Sequence, residues 1–419
     1  MVSKWNWIYR LVTRRLWFRS TLISLLAVVS ALLAIVLGPY IPYDISASIG
    51  AEAVDNILTI IASSMLAVTT FSLSTMVAAY SAATSNVTPR ATKLLLQDPT
   101  SQNVLSTFVG SFLYSLVAII TLSMNAYGER GRVILFVVTI FVVLLIVATL
   151  LRWIDYLTRL GRVGDTTEVV EKATADALRS RRRQPYLGGV HLAGEKDIPA
   201  DAVAIPAPFI GYVQHIDLAK LQEIAQSQNV AIYLLALPGT FVDPRHPLAR
   251  IASDDGKVHE AIAAAYSLAR ERSFDQDPRF GLSVLAEIAQ RALSPAVNDP
   301  GTAIDVIGRT VRLLAIWDEP EEREPVRFPA VHVASVRLSD LFDDAYSPIA
   351  RDGAGIAEVQ VRLQKAFAAL SALDDPRFRI EAARHSDIAL RRAEAALTLK
   401  EDIEAVRAAA RGVAGTLTA

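Results

Sequence analysis

The strongest constraint on this chain is a set of four long apolar stretches near its beginning. They occupy residues 20–38, 57–80, 104–124 and 133–151, and none of them contains Asp, Glu, Lys, Arg or His. A helix needs about 20 mostly apolar residues to cross the ~30 Å hydrocarbon core of a bilayer. The sequence therefore predicts a mostly α-helical protein with a four-span membrane domain over residues 20–151, embedded in the lipid bilayer.

Lys and Arg in the short segments that flank these stretches predict the orientation, because cationic segments stay on the cytoplasmic side. Residues 1–19 form a basic and aromatic segment, which we expect to lie at the cytoplasmic interface. Arg90 and Lys93 lie between the second and third stretches, and Arg152 and Arg159 follow the fourth. Both termini are therefore predicted to be cytoplasmic.

The composition of the whole chain argues against several classes of function. With 42 Lys and Arg against 43 Asp and Glu, its net charge of −1 argues against nucleic acid as a partner. It has no cysteine, which excludes disulfides, thiolate catalysis and iron–sulfur clusters. Its six histidines form no metalloprotease motif, and no nucleophile elbow or dinucleotide-binding motif is present. We therefore expect no enzymatic activity, no cofactor and no metal site.

Small and hydroxylated residues distinguish the second and third apolar stretches from the other two. Steps of three and four residues along a helix place several of them on one face. The candidate pore-lining residues are Ser63, Thr70, Ser74, Ser81 and Ser85 on the second helix, with Thr107 and Ser111 on the third. Such a stripe favours close helix packing in lipid. In an assembly of several copies, it also suits a water-filled lumen.

Two functional hypotheses follow from this pattern. The first is a homo-oligomeric channel or pore for ions or small solutes, with the C-terminal part of the chain as a cytoplasmic vestibule. The absence of charge inside the stretches supports it, because coupled transporters usually need ionisable residues within the membrane. The alternative is a membrane-anchored sensor or scaffold whose cytoplasmic part binds a ligand or a protein partner.

Residues 152–185 are predicted to form a juxtamembrane helix that bends near Gly161 or Gly164 and stops at Pro185. A basic run lies near its end and comprises Arg179, Arg181, Arg182 and Arg183. Such a run attracts anionic lipid headgroups or other anions. It is more typical of a solvated helix C-terminus, where cations complement the helix dipole.

The rest of the chain is predicted to be α+β first and all-helical afterwards. Residues 186–255 form a small α/β module, because strand-like segments flank a helical one, and residues 256–419 have helical periodicity. The tetrapeptide Asp-Pro-Arg-Phe occurs at 277–280 and again at 375–378. At each site we expect Asp to cap a helix and Pro to occupy its first position.

An unusual segment over residues 291–303 separates two of these predicted helices. We expect Asp299 to cap the second helix, and Arg270, Arg272, Asp275 and Asp277 to help close the corner with ion pairs. The residues of interest are Arg291, Asn298, Asp299 and Thr302. They form a structural corner or, since helix N-termini bind phosphates and carboxylates, an anion site.

Several short motifs together resemble one known family. They are FSLS at 71–74, TPR at 88–90, GSFLY at 110–114, GYVQ at 211–214, PGTFV at 238–242 and the corner at 291–303. The chain resembles the bacterial predicted membrane proteins called domain of unknown function 2254. The resemblance covers most of the chain and implies an integral inner-membrane protein with an N-terminal membrane part. It implies no established activity and assigns no functional residue.

Overall fold

The structure is a computed structural model that describes residues 9, 12–13, 16–37, 51–124, 126–320 and 324–415. The chain divides into two compact units. The membrane unit reaches Ser85 and resumes over Thr92–Thr166, and the sheet unit comprises Asn86–Ala91 and the chain from Thr167 onward. Most of the interfacial segment predicted over residues 1–19 lies outside the described residues.

Apolar sequence forms long helices in the membrane unit. They are α1 (Leu16–Leu37), α2 (Ala51–Asn86), the short α3 (Pro89–Leu96), α4 (Pro99–Ser123) and α5 (Gly128–Arg159). Three segments of α2, α4 and α5 are long and apolar enough to cross a membrane, namely Ala53–Ser85, Pro99–Ser123 and Gly131–Arg159. In α1, the apolar segment Trp17–Leu33 is shorter. The mostly helical fold is therefore confirmed, with three candidate spans and a further apolar helix among the described residues.

Close packing of α1 against α4 stabilises the membrane unit. Gly110 of α4 lies so near α1 that an added Cβ would be 2.9 Å from Cγ2 of Ile23. The hydroxyl oxygens of Ser20 and Ser106 are 2.9 Å apart, within hydrogen-bond distance. Small residues and hydrogen bonds between helices replace the hydrophobic effect as the source of association inside lipid.

α2 joins the membrane unit through long apolar side chains on one of its faces. Leu58, Ile61, Met65 and Met76 are each at most 6 % exposed. They belong to two apolar clusters that contain side chains of α4 and α5. Because these residues share one face of the helix, the opposite face of α2 is left exposed in the single chain.

The predicted juxtamembrane helix breaks at Gly161. α5 ends at Arg159 and α6 (Val163–Arg183) begins shortly afterwards. Gly161 has a φ of +85°, a left-handed conformation that glycine adopts without the steric cost of a Cβ. Residues 152–185 therefore form the end of one helix and most of a second.

The sheet unit contains two β-sheets. Its strands are β1 (Gly189–Leu192), β2 (Val203–Pro206), β3 (Gly211–Ile216), β4 (Ile232–Leu234), β5 (Phe241–Val242), β6 (Pro247–Ile251), β7 (Tyr266–Ala269) and β8 (Phe328–Ala334). The order is β1-β8-β4-β6-β2 in the larger, mixed sheet and β5-β3-β7 in the smaller, antiparallel one. The helices α7 (Leu218–Gln228) and α8 (Gly256–Ala265) contribute Leu221 and Ile262 to the same apolar core as the strands.

Two strands come from residues 256–419, which the sequence predicts to be all-helical. β7 forms one edge of the smaller sheet, and β8 lies between β1 and β4 with both neighbours parallel to it. In β8, Val331 and Val333 are fully buried while Ala330 and His332 alternate with them, the period of two that strands require. The all-helical prediction is wrong here, because a single short strand acquires its stability from distant partners.

Helices dominate the remainder of the sheet unit. They are α9 (Pro278–Ala292), α10 (Pro300–Ala315), α11 (Leu338–Asp352), α12 (Ala357–Ser371), α13 (Pro376–Ala396) and α14 (Lys400–Gly415). The caps predicted for the repeated tetrapeptide are confirmed. Asp277 accepts the backbone N–H of Phe280 at 3.2 Å, and Asp375 accepts that of Arg377 at 2.9 Å, each with Pro at the first helical position.

The connection between α2 and α3 belongs to the sheet unit. Thr88 donates to Oε2 of Glu287 at 3.1 Å, and Arg90 donates to Oε1 of the same carboxylate at 2.7 Å. Glu287 lies on α9. This connection is therefore held against α9 within the sheet unit.

Candidate functional site

The candidate pore-lining residues of α2 share the exposed face of that helix. Ser63, Thr70, Ser74, Ser81 and Ser85 are all exposed in the single chain. At 100° per residue they lie opposite the packed face that carries the long apolar side chains. We call this set the hydroxyl stripe.

Large apolar side chains border the hydroxyl stripe on both sides. Ile60 and Phe71 flank one side and Leu66 and Val77 the other, each more than half exposed. The stripe is therefore the floor of a shallow groove that runs along α2. Such a groove lets a second helix approach closely in lipid.

Hydroxyl groups of the stripe are bonded to their own helix. Ser63 donates to the carbonyl of Thr59 at 2.9 Å, and Thr70 donates to that of Ala67 at 2.9 Å. These bonds satisfy the hydroxyl protons without another helix or water. The stripe is therefore compatible with a dry helix interface, and its oxygens keep acceptor capacity for water in a lumen.

The two candidate residues of α4 have different surroundings. Thr107 is half-buried and donates to the carbonyl of Asn103 at 2.9 Å. Ser111 is only 5 % exposed, one residue after the Gly110 that touches α1. Burial within the chain favours helix packing at Ser111, so the exposed hydroxyl stripe is a feature of α2.

The basic run at the end of α6 is split by the fold. Arg179 and Arg183 are exposed and Arg182 is half-buried, whereas Arg181 is only 3 % exposed. Burial lowers the pKa of Arg181 to about 10, although the charge of Asp277 raises it. A solvated helix terminus therefore describes Arg179 and Arg183 but not Arg181.

The guanidinium of Arg181 is incompletely bonded. Its Nη2 donates to the carbonyl of Gln276 at 2.9 Å, while Nη1 is buried and has no hydrogen-bond partner among the described residues. A buried donor without a partner costs roughly 1–3 kcal/mol, and more when it is charged. Arg181 is therefore a candidate ligand-binding residue of the sheet unit.

One buried carboxylate, that of Asp277, interacts with two arginines. Nε and Nη2 of Arg272 donate to Asp277 at 2.7 and 3.0 Å. Asp277 is 2 % exposed, also caps α9, and is the acid whose charge acts on Arg181. The carboxylate of Asp277 thus has three roles. It pairs with Arg272, caps the N-terminus of α9 and places a negative charge near Arg181.

A small cavity of about 110 Å³ lies beside Arg181. Three arginines from two distant segments meet in its wall, and no acidic side chain is among the described residues that line it. Those that bear on its chemistry are Arg181, Arg182, Arg377, Tyr186, Trp317 and Ser335. We call it the arginine cavity.

Arg377 belongs to the second Asp-Pro-Arg-Phe segment. Its Nε and Nη2 donate to Asp375 at 2.9 and 2.5 Å. This pairing holds the pKa of Asp375 below its usual value. Arg377 is thereby fixed at the start of α13, while its Nη1 is not used in the pair.

A larger cleft of about 510 Å³ shares Ser335 and Val336 with the arginine cavity. The PGTFV motif contributes its turn to one wall, with Gly239 at a φ of +93°. A Cβ at Gly239 would collide with the carboxylate of Asp277. Only glycine therefore allows this turn to lie against Asp277.

Paired charges form the opposite wall of the cleft. Arg279 donates from Nε to Asp344 at 2.6 Å and from Nη1 to Asp340 at 2.9 Å. Burial raises the pKa of Asp344, and the Arg279 guanidinium partly offsets this by stabilising the carboxylate. The described lining of the cleft thus contains both acidic and basic side chains, whereas that of the arginine cavity contains three arginines and no acid.

The corner at 291–303 forms the cap that the sequence predicts. Asp299 accepts the backbone N–H of Thr302 at 3.1 Å and its hydroxyl at 2.6 Å. Asn298 has a φ of +50° in the turn before it, and Arg291 stands exposed in the last turn of α9. Because a carboxylate already occupies the α10 N-terminus, these contacts favour the structural corner over an anion site.

Sequence reasoning missed the arginine cavity and the cleft. Arg272 and Asp277, two of the four residues expected to close the corner, instead pair with each other at the cleft. One signal was present, because the repeated Asp-Pro-Arg-Phe places Arg279 in the cleft and Arg377 in the cavity. Among the described residues, no group of three or more His, Cys, Asp or Glu could hold a metal ion.

Comparison with known sequences identifies relatives of this chain. Uncharacterized protein Mb1321c of Mycobacterium bovis and uncharacterized protein Rv1290c of Mycobacterium tuberculosis are each 26 % identical to it over 265 residues. The aligned region covers 60 % of this chain, and the chain spans about half (50 %) of the length of these curated relatives. No solved structure matches. The model of the family described as "Predicted membrane protein (DUF2254)" matches residues 13–369, so the chain belongs to that family.

Proposed function

We propose that this protein is a four-span, homo-oligomeric channel or pore for ions or small solutes, with α2 of each copy facing the central axis. α1 serves as the additional span. Its 22 residues rise about 33 Å at ~1.5 Å per residue, enough for a ~30 Å hydrocarbon core. The protein resides in the bacterial inner membrane with both termini in the cytoplasm, where the sheet unit forms a vestibule.

The hydroxyl stripe on the exposed face of α2 is the observation that carries this proposal. Large aliphatic and aromatic side chains cover the outer face of α5, among them Val137, Phe141 and Leu144. Side chains of that kind suit lipid. The small and hydroxylated floor of the α2 groove suits another copy of the chain or water.

The chemistry of the helices supports a passive path. The segment 57–80 contains no ionisable side chain of the proton-relay type, which coupled pumps and transporters generally use. The hydroxyl oxygens of the stripe can replace part of a hydration shell. We accordingly propose conduction down a gradient and no enzymatic activity.

Cysteine scanning of the cysteine-free chain tests the channel. Ser63→Cys, Thr70→Cys and Ser74→Cys should react with a membrane-impermeant thiol reagent, because the reactive thiolate forms where water reaches. Leu144→Cys on α5 is the matched control, equally exposed in the single chain but facing lipid. Protection of all three α2 positions, together with no conductance in planar bilayers, would contradict the channel.

A membrane-anchored sensor or scaffold is the second candidate, and the cleft of about 510 Å³ favours it. A cleft of this volume lies within the range of small-molecule sites, roughly 300–1,000 Å³. A double variant, Thr70→Leu with Ser74→Leu, separates the two functions. It should abolish conductance in a channel, and it should leave ligand binding by the sheet unit unchanged in a sensor.

A further inference from the structure

We propose that the arginine cavity of the sheet unit binds a phosphate group, supplied by inorganic phosphate or by a phosphomonoester. This inference goes beyond both candidate functions and rests on neither, because it depends only on residues of the sheet unit. Arg181, Arg182 and Arg377 supply the guanidinium groups.

Arg181 provides the first argument. It lines the cavity, is 3 % exposed, and has a buried Nη1 with no hydrogen-bond partner among the described residues. Arginine stays protonated across the physiological range, so neutralisation does not relieve this buried donor. An anion in the cavity would supply the missing acceptor together with a negative charge.

The balance of charge provides the second argument. Asp277 is the acid whose charge acts on Arg181, and it is already bonded to Arg272 through both carboxylate oxygens. Asp277 therefore compensates Arg181 only in part, and a buried charge without full compensation is destabilising. A bound anion therefore stabilises the cavity as well as being held by it.

The other two guanidiniums are held in place by contacts with oxygen acceptors. Arg182 donates from Nη2 to the backbone carbonyl of Glu319. Arg377 uses Nε and Nη2 on Asp375. Their orientations are thus set before a ligand arrives, which lowers the entropic cost of binding.

The size and donor set of the cavity favour phosphate over a carboxylate. A single guanidinium fork satisfies one carboxylate, whereas three arginines match the three or four oxygens and up to two charges of a phosphate. The volume of about 110 Å³ is several times the ~30 Å³ that one water occupies in the liquid. The side chains of Ser335 and Tyr186 add neutral hydrogen-bonding groups to the wall.

Calorimetric titration of the full chain in detergent, at fixed chloride concentration, tests this assignment with inorganic phosphate. The wild type should bind phosphate saturably. Arg377→Gln and Arg182→Gln should each weaken the affinity about tenfold or more. Arg183→Gln is the matched control, because it removes an exposed charge from the same run and should change the affinity less than twofold.

A second arm separates the two sources of phosphate and guards against misfolding. Dihexanoyl phosphatidic acid, a soluble phosphomonoester lipid, replaces inorganic phosphate. Binding of both supports a site for the phosphate group itself, and binding of the lipid alone supports a headgroup site. Arg181→Lys keeps the buried charge without the fork and should weaken binding while the melting temperature without ligand stays near that of the wild type.

Two results would overturn the proposal. One is the absence of saturable binding of either anion to the wild-type protein. The other is equal weakening by Arg183→Gln and Arg377→Gln, which would show attraction to the general charge of the surface instead of binding in the cavity.

Discussion

The outer faces of α2 and α5 are equally open within the chain, yet they carry different side chains. In an apolar 18-residue stretch of each span, 22 % is buried inside the chain. α5 exposes Val137, Phe141, Leu144 and Leu151, whereas the exposed face of α2 is centred on the hydroxyl stripe. Two helices of similar burial therefore differ in the chemistry of their outer faces, and this difference is the basis for the proposal that α5 faces lipid and α2 a further copy or water.

This difference also shows how the chain uses small residues. Between α1 and α4 they are covered, and Gly110 brings the two backbones together inside one copy. On α2 they are uncovered. Enlarging a small residue that is already in contact should destabilise the single chain. Enlarging one that is exposed should leave the single chain stable and affect only its association with other copies.

The largest expected effect comes from placing a charge on each outer face. Leu144→Arg should cost about 2.5–3.5 kcal/mol of insertion free energy, the price of arginine at the centre of a lipid-facing span. Thr70→Arg should cost much less, because a lumen hydrates the guanidinium. The measurement is the fraction of each variant recovered as membrane-inserted oligomer. Equal losses at the two positions would mean that α2 also faces lipid.

Enlarging the covered small residue should have the next largest effect. Gly110→Leu forces a side chain into the space next to Ile23, and overpacking of this kind costs about 1–3 kcal/mol. The free energy of unfolding should fall in detergent, where the copies are separated. Ala67→Leu on the groove of α2 serves as the control and should leave the stability of the single chain unchanged.

Enlarging the uncovered stripe should weaken association and leave the single chain intact. Ser74→Leu should reduce the free energy of self-association by about 1–2 kcal/mol, the range measured for polar contacts between helices in lipid. Energy transfer between labelled copies at varied protein-to-lipid ratio measures it. Leu144→Ala is expected to have no effect, and a loss of association there would place the interface on α5.

The smallest effect is expected at the corner, because the cap of α10 contributes to the stability of the sheet unit alone. Asp299→Ala should cost about 1 kcal/mol, and oligomer size should not change. Hydrogen bonds from Thr302 hold the pKa of Asp299 below its usual value. The stability that this cap contributes is therefore fully present above the pKa of an aspartate in the unfolded chain, about 3.9. It is lost as the pH falls through the lower pKa of Asp299 in the folded protein. Thermal melts of both proteins across this range should converge at low pH.

Local signals made part of this fold predictable. The apolar stretches lie within helices, and Asp277, Asp299 and Asp375 cap the helices that follow them. Each of these features depends on residues a few positions apart. Steps of three and four residues likewise place the hydroxyl stripe on one face of α2.

The burial of Arg181 and the arginine cavity could not be predicted from the sequence, because both depend on residues far apart in the chain. The burial of Arg181 depends on Gln276 and Asp277, which a neighbouring basic run gives no reason to expect. The arginine cavity also needs Arg377, from the start of α13. Nothing in a linear pattern of charges distinguishes Arg181 from Arg183, although one is buried and the other is exposed.

The place of β8 in the larger sheet has a consequence for synthesis of the chain. β8 pairs with both β1 and β4, but it follows them by a long stretch of sequence. At roughly 5–20 residues per second, the ribosome needs several seconds to reach Phe328 after Leu192. During that interval β1 and β4 are nascent edges without their shared neighbour, and unpaired edges invite pairing with other chains. The larger sheet therefore closes late in translation, and chaperone binding to ribosome-held chains that stop before Phe328 should exceed binding to those that extend past Ala334.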